Sequence, residues 1–197
     1  MLPDLIRAYQ ETHRKYHTLD HIFYMINKAW SWHWEITDEL CYAIWYHDYI
    51  YKIGAQNNEA ESARLFEADV MKCGGLGELV DHEKVKQAII STRDHIPMEA
   101  LFLGVSPCQC VGLEAILIDL DLAILAEHQV SYERYVSGVR QEYHLFSDEQ
   151  WVEGRSKWIK SMLKRDQIFY TEDGYKNCEK KSRDNLYAEL KVYGEFL

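Results

Sequence analysis

The chain has 197 residues, of which 47% are hydrophobic and 27% charged, proportions that are ordinary for a soluble globular protein. Its formal net charge of −10 argues against a nucleic-acid polymer as the main partner, because proteins that bind such polymers usually carry basic patches. No apolar run approaches the roughly 20 residues that span a bilayer, so no membrane partner is expected.

The N-terminus and the cysteines point to the cytoplasm. The first residues lack the basic and apolar segments of a secretory signal. Five cysteines is an odd number, and Cys108 and Cys110 lack the two-residue gap of zinc-binding pairs. We therefore expect reduced thiols and a cytoplasmic protein.

The spacing of apolar residues is helical almost throughout the chain, and β-type alternation is scarce. Residues 95–108 hold two prolines and a glycine and are predicted to form a loop, and a turn over 171–174 precedes the last helix. The sequence shows neither a repeat nor a linker, so it predicts one all-α domain over residues 1–197, a compact bundle of about eight to nine helices. The predicted helices cover 2–12, 19–33, 38–51, 57/58–73, 82–94, 111–126, 131–145, 148–165 and 177–193.

Polar residues mark where several of these helices begin. Thr18 and Thr37 are predicted N-caps, and either Asn57 or Asn58 caps the following helix. A capping box opens at Ser147, because a glutamine follows it three residues later.

Histidines and aspartates of the first long helices form a candidate metal site. His17 and His21 are four residues apart, which places them on one face of a helix. His47 and Asp48 follow an apolar stretch, where an unpaired carboxylate is unfavourable. Imidazole and carboxylate ligands suit Mn, Fe, Zn, Ni or Mg. The pattern therefore predicts a metal ion held between helices.

Asp119 and Asp121 lie in the apolar run 111–126 and supply a further ligand. Two residues along a helix point about 200° apart, so both carboxylates cannot face one ion. The residues alone leave open which of the two is the ligand.

The order of these residues resembles the HD superfamily of metal-dependent phosphohydrolases. Arg14–His21 resembles the Arg-x-Tyr-His-x-x-x-His opening of a small HD family known mainly as predicted phosphohydrolases. Asn58–Ala63 resembles the Asn-Glu-x-x-Ser-Ala segment of that family, and the Asp-x-Asp-Leu run also fits. The resemblance covers roughly residues 9–190 and implies a single HD-type domain.

The resemblance implies a ligand set and a cofactor. Alignment on the leucine that follows selects Asp121, and Asp119 is the alternative. The cofactor is then one or two divalent ions per chain, drawn from Mn, Mg, Fe, Zn, Ni or Co. The implied ligands are His21, His47, Asp48 and Asp121.

The catalytic roles also follow from the resemblance. Tyr16–His21 is similar to a segment of cyclic-nucleotide phosphodiesterases, in which the first histidine donates a proton to the leaving oxygen. His17 takes that role here and Glu59 supports it, because a nearby carboxylate keeps an imidazole protonated. Asp48 or Asp121 would orient the attacking water. The alternative for Glu59 is that it only stabilises the N-terminus of its helix.

Two further residues are candidates for binding substrate phosphate. Arg14 could contact a phosphate with two parallel hydrogen bonds, and its alternative role is a surface ion pair. His95 closes a predicted helix, where a charged imidazole is favoured even without a ligand.

The sequence thus predicts a phosphomonoesterase or phosphodiesterase that acts on a small phosphorylated metabolite or nucleotide. One alternative is a di-iron oxygenase of the HD class, for which His95 could supply a ligand. Another is a non-catalytic domain that binds a phosphorylated ligand as a sensor. A homodimer is left open.

Overall fold

The computed structural model describes residues 2–72, 80–102, 110 and 112–194. These residues form ten α-helices and a 3₁₀ turn with no strand among them, which confirms the predicted all-α class. Within these ranges, none of the helices combines the length and the apolar character needed to cross a membrane. The helices are α1 (Leu2–Ala8), α2 (Leu19–Ser31), α3 (Asp38–Tyr46), α4 (Asn58–Lys72), α5 (His82–Ser91), α6 (Met98–Phe102), α7 (Leu113–Leu122), α8 (Gln129–Glu142), α9 (Asp148–Leu163) and α10 (Glu172–Gly194), and the 3₁₀ turn is Ala123–Ala126.

Three predicted caps are confirmed. The Thr18 hydroxyl accepts a hydrogen bond from the Asp20 amide at the start of α2, and Thr37 accepts one from the Leu40 amide at the start of α3. The box that opens at Ser147 is complete, with both reciprocal hydrogen bonds present. Side chains close in sequence therefore determine where these helices begin.

Three predicted boundaries are wrong. The first helix ends at Ala8 instead of residue 12. The predicted loop 95–108 contains α6, while residues 103–109 lie outside the described part of the chain. The predicted turn over 171–174 is the first turn of α10, because the Thr171 hydroxyl accepts a hydrogen bond from the Gly174 amide.

Helix α3 also ends earlier than predicted, at Tyr46 instead of residue 51. The buried guanidinium of Arg14 donates to the carbonyls of Asp48 and Tyr49, and the Ile50 amide donates to the Ser62 hydroxyl. These long-range hydrogen bonds replace the next turn of the helix. As a result, His47 and Asp48 lie just beyond α3.

Helix α7 lies between two hydrophobic cores. Leu113, Leu117 and Leu120 pack into a core built mainly from α1 to α5. Ala115, Ile118 and Leu122 pack into a second core with the 3₁₀ turn and helices α8 to α10. Spacings of three and four residues give each set its own helix face, so α7 is apolar on two sides.

Candidate metal centre

Three helices bring ligand atoms to one point. His21 lies in the first turn of α2, His47 follows the last residue of α3, and Asp121 lies near the end of α7. The ligand atoms of these three residues all lie within 4.8 Å of one another. His21 Nε2 is 3.3 Å from His47 Nε2 and 3.2 Å from Asp121 Oδ1. The group could therefore hold a metal ion.

The spacing of these atoms suits a shared ion. Nitrogen and oxygen ligands about 2.1 Å from one cation lie about 3.0–3.5 Å from each other. His47 Nδ1 lies 2.8 Å from the Ile44 carbonyl and donates to it, so in the neutral imidazole the Nε2 lone pair is available to a metal. His21 Nδ1 has no hydrogen-bond partner among the described residues. Both ring nitrogens of His47 therefore have polar partners, whereas only Nε2 of His21 has them.

Asp48 extends this group. Its Oδ2 is 3.2 Å from His47 Nε2 and 3.9 Å from His17 Nε2. Adjacent residues in a continuous helix point about 100° apart. Because α3 ends before His47, the two side chains can turn towards the same point. We call the candidate site formed by His21, His47, Asp121 and the adjoining Asp48 the metal centre.

The carboxylates of the metal centre are buried beside imidazoles, and the two kinds of group shift each other's pKa. Burial would raise the pKa of Asp121, but hydrogen bonds with His21 and His95 hold it well below its usual range. Burial would also raise the pKa of Asp48, but His47 and His17 hold it low. Burial alone would lower the pKa of His47, yet Asp48 and Asp121 raise it to about 9. A divalent ion would supply the same positive charge with both imidazoles neutral, as metal binding requires.

Asp119 points to a different part of the protein. Its carboxylate is fully buried and accepts hydrogen bonds from the amides of Tyr170 and Thr171 and from the Thr171 hydroxyl, at 2.7–2.8 Å. Burial raises its pKa to about 7, although these donors oppose the shift. Of the two aspartates left open by the sequence, the structure places Asp121 in the metal centre and Asp119 at the start of α10.

His17 is held by a carboxylate that sequence reasoning missed. His17 Nδ1 lies 2.7 Å from Glu142 Oε2, and Glu142 Oε1 accepts hydrogen bonds from the amides of residues 15–17. The Tyr51 hydroxyl donates to Glu142 Oε2 at 2.9 Å, and the Tyr51 ring lies 4.2 Å from the imidazole. Burial would lower the pKa of His17, but Asp48 and Glu142 raise it. The imidazole is therefore fixed and its charged form favoured.

The structure gives Glu142, and not Glu59, the contact with His17. Glu59 lies in the first turn of α4 and lines the neighbouring cavity, and a catalytic role for it stays a prediction. One local signal could have drawn attention to Glu142. It is an acidic residue in the last turn of α8, where the helix dipole disfavours negative charge.

His95 lies at the outer side of Asp121. Its Nε2 is 3.1 Å from Asp121 Oδ2, the oxygen that does not face His21. The backbone of His95 has a φ of 50°, a left-handed conformation that costs energy in a residue with a side chain. Arg165 donates to the His95 carbonyl at 2.7 Å and holds this conformation. Substrate binding by His95 stays a prediction.

The structure places Arg14 behind the metal centre and not in the cavity. Its side chain is fully buried and forms an ion pair with Glu11 at 3.1 Å. It also donates to the carbonyls of His17, Asp48 and Tyr49 at 2.8–3.3 Å. These donors already serve the protein, so the contacts of Arg14 do not support the predicted binding of substrate phosphate, which stays a prediction.

We expect Arg14→Lys to lower the free energy of unfolding by about 2–4 kcal/mol, because buried carbonyls lose donors that an ammonium cannot replace in number or direction. Arg7→Ala is the control, since the Arg7 side chain is 72% exposed and surface changes usually stay within about 0.5 kcal/mol. Urea denaturation measures both variants. Equal stability of Arg14→Lys and the wild type would contradict a structural role.

A cavity of about 410 Å³ opens beside the metal centre. Asp48 and Asp121 line it together with His17 and His95. Its volume lies in the range of small-molecule sites, about 300–1,000 Å³. A ligand in this cavity would reach the metal centre and the His17 imidazole at once.

Comparison of the chain with known family models, curated proteins and solved structures gives no match. The HD-type assignment suggested by the residue order therefore stays a proposal, carried by the residues and by their geometry.

Proposed function

We propose that the protein is a metal-dependent phosphohydrolase of the HD type, acting on a small phosphorylated metabolite or nucleotide. The observation that carries the proposal is the convergence of His21, His47 and Asp121, within 4.8 Å, beside a cavity that also contains His17. A cation site next to a fixed imidazole suits the hydrolysis of a phosphate ester, because the ion can activate a water molecule and the imidazole can protonate the leaving oxygen.

The residues of the metal centre would hold a divalent ion. When bound, such an ion lowers the pKa of a coordinated water and polarises a phosphoryl oxygen. Asp48 and Asp121 also offer carboxylate oxygens that can orient a water molecule as hydrogen-bond acceptors.

His17 would complete the reaction as the proton donor. The water oxygen bonds to phosphorus while the bond between phosphorus and the leaving oxygen breaks, and His17 Nε2 gives the leaving oxygen its proton. The proton that the water loses returns to His17 through solvent. Glu142 supports this role because it fixes the proton of His17 on Nδ1 and favours the charged imidazole.

The proposal is tested by elemental analysis of the wild type, Asp48→Ala and the control Asp184→Ala, followed by a screen of phosphate esters. Asp184 is 60% exposed on α10, far along the chain from the metal centre. We expect one or two equivalents of metal and phosphate release from the wild type and the control. Asp48→Ala should lose at least about tenfold in metal affinity, together with turnover.

Other outcomes separate the rival functions. Negligible metal in all three proteins, even after reconstitution, would overturn the metal centre itself. Bound metal without turnover of any phosphate compound would overturn the hydrolase and favour a sensor.

One observation favours the di-iron oxygenase as a second candidate. Asp121 lies between His21 on one oxygen and His95 on the other, so it could bridge two ions. Two irons per chain, with an optical absorption band in the oxidised state, would support this candidate over the hydrolase.

A further inference from the structure

The cavity is much larger than a phosphate group needs. The part beside the metal centre is lined by Asp48, Asp121, His17 and His95. The rest of the lining is rich in aromatic residues, which we call the aromatic wall. It consists of Tyr135, Tyr143, Phe146, Trp151 and Trp158.

Three rings of the aromatic wall contact one another, and two of its tryptophans share one helix face. Trp151, Arg155 and Trp158 are three and four residues apart and share the face of α9 that lines the cavity. Tyr143, which follows α8, lies 5.7 Å from the Trp151 ring and 5.6 Å from the Phe146 ring. Rings at these separations attract further rings through edge and offset contacts.

Arg155, a buried cation beside the aromatic wall, is already paired with a carboxylate of the protein. Arg155 donates two hydrogen bonds to the Glu189 carboxylate, at 2.9 and 3.1 Å, and one to the Tyr135 hydroxyl at 3.0 Å. Its guanidinium also lies 4.4 Å from the Trp158 ring centroid. Arg155 is therefore neutralised by the protein itself. What this part of the cavity offers a ligand is mainly ring surface, not a free charge.

Space is kept open at one position of the same helix face. Gly154 lines the cavity, and a Cβ atom added there would meet nothing within 4 Å. A glycine inside a helix costs roughly 0.5–1 kcal/mol relative to alanine. Because Gly154 is exposed and has no side chain, a ligand lying along α9 would find room at this position.

Resting on the proposed function, we propose that the substrate is a phosphate ester that carries a flat aromatic ring. Its phosphate binds at the metal centre and its ring packs against the aromatic wall beside Gly154. Both an aryl group and a nucleobase have this chemistry, and the experiment distinguishes them.

The test is calorimetric titration of the Mn²⁺-loaded full chain with non-hydrolysable phosphonates. The probes are methylphosphonate, (1-naphthylmethyl)phosphonate and the phosphonate analogue of adenosine 5′-monophosphate. We expect at least one of the ring-bearing probes to bind ten or more times more tightly than methylphosphonate. Whichever ring binds more tightly identifies the source as aryl or nucleobase.

Variants locate the ring. Gly154→Trp should fill the ring space and abolish the preference, while methylphosphonate affinity stays within threefold of the wild type. Lys157→Trp, at an exposed position of α9 outside the cavity lining, is the matched control and should retain the preference. Phe146→Ala removes a ring of the aromatic wall and introduces no larger side chain, so it should weaken the preference for ring-bearing probes. Phe146 is 36% exposed, so its truncation should cost little stability. Melting temperatures show that each variant is folded.

The failures are distinguishable. Equal affinities for all three probes in the wild type would overturn the substrate class but leave the phosphohydrolase intact. Binding of none of them, methylphosphonate included, would overturn both. A preference that survives in Gly154→Trp and Phe146→Ala would also overturn the proposed position of the ring.

Discussion

The Asp121→Asn variant is expected to lose Mn²⁺ affinity by at least about 100-fold, and phosphatase activity with it. An amide oxygen is neutral and a weaker ligand than a carboxylate, and Asp121 Oδ1 lies 3.2 Å from His21 Nε2 and 3.9 Å from His47 Nε2. Calorimetric titration of the metal-free protein with Mn²⁺ measures the affinity. Retention of wild-type metal affinity would contradict the assignment of Asp121 as a ligand.

Asp119→Asn is the matched control, on the same helix and two residues away. We expect it to keep its metal affinity but to lower the free energy of unfolding by about 2–4 kcal/mol, because an amide cannot accept all the hydrogen bonds at the start of α10. Urea denaturation in the presence of a chelator separates this effect from metal binding. The opposite pattern, with metal lost in Asp119→Asn and kept in Asp121→Asn, would reverse the two roles.

The Glu142→Gln variant is expected to lower kcat by a factor on the order of 10²–10⁴ for alkyl phosphates, with little change in KM. The substitution puts an amide nitrogen, a donor, where His17 Nδ1 now meets a carboxylate oxygen. A proton on Nε2 of a neutral imidazole is then favoured, and a neutral imidazole is a poor acid. Steady-state kinetics with a series of leaving groups measures the effect.

The leaving group supplies the control for Glu142→Gln. An aryl phosphate such as 4-nitrophenyl phosphate needs little protonation of its leaving oxygen, so its kcat should fall much less than that of an alkyl ester. An equal loss for both would mean that Glu142 acts only through the fold.

The pH dependence of the free energy of unfolding provides a second check on Glu142. Burial would raise the pKa of Glu142, but its hydrogen bonds with His17 and the amides lower it to about 2.

The sign of that pH effect is fixed by the lowered pKa. Glu142 contributes stability above the pKa of an unfolded glutamate, and the contribution is lost as the pH falls towards 2. The difference in unfolding free energy between wild type and Glu142→Gln, on the order of 2–3 kcal/mol near neutral pH, should shrink steadily between about pH 5 and 2. A constant difference would mean that Glu142 is not charged in the folded protein.

Features that depend on neighbouring residues could be predicted from the sequence. The helix starts after Thr18, Thr37 and Ser147 are set by side chains that reach amides two or three residues away. The juxtaposition of His21 with His47 was also predictable in outline, because His21 lies on the buried face of α2 and His47 directly follows an apolar helix, where an unpaired polar group would be costly.

Features that depend on distant partners could not be predicted. Glu142 is 125 residues from His17 along the chain, so nothing in the local sequence links them. A glutamate in a surface ion pair and a buried glutamate that binds a histidine cannot be told apart from the sequence. The start of α10 depends on Asp119, 52 residues before Thr171. Arg14 ends α3 through carbonyls 34 and 35 residues away. Backbone groups carry no sequence signal, so such contacts become visible only in the folded chain.

Helix α7 contributes to two parts of the protein, the metal centre and the start of the last helix. Asp121 belongs to the metal centre, while Asp119, about half a turn earlier and on the opposite side of the helix, binds the start of the last helix of the chain. Its leucines at 113, 117 and 120 pack into one hydrophobic core, and its apolar residues at 115, 118 and 122 pack into the other. Unfolding of either core would therefore expose one apolar face of α7 to water. A shift or rotation of this helix would move Asp121 and Asp119 together.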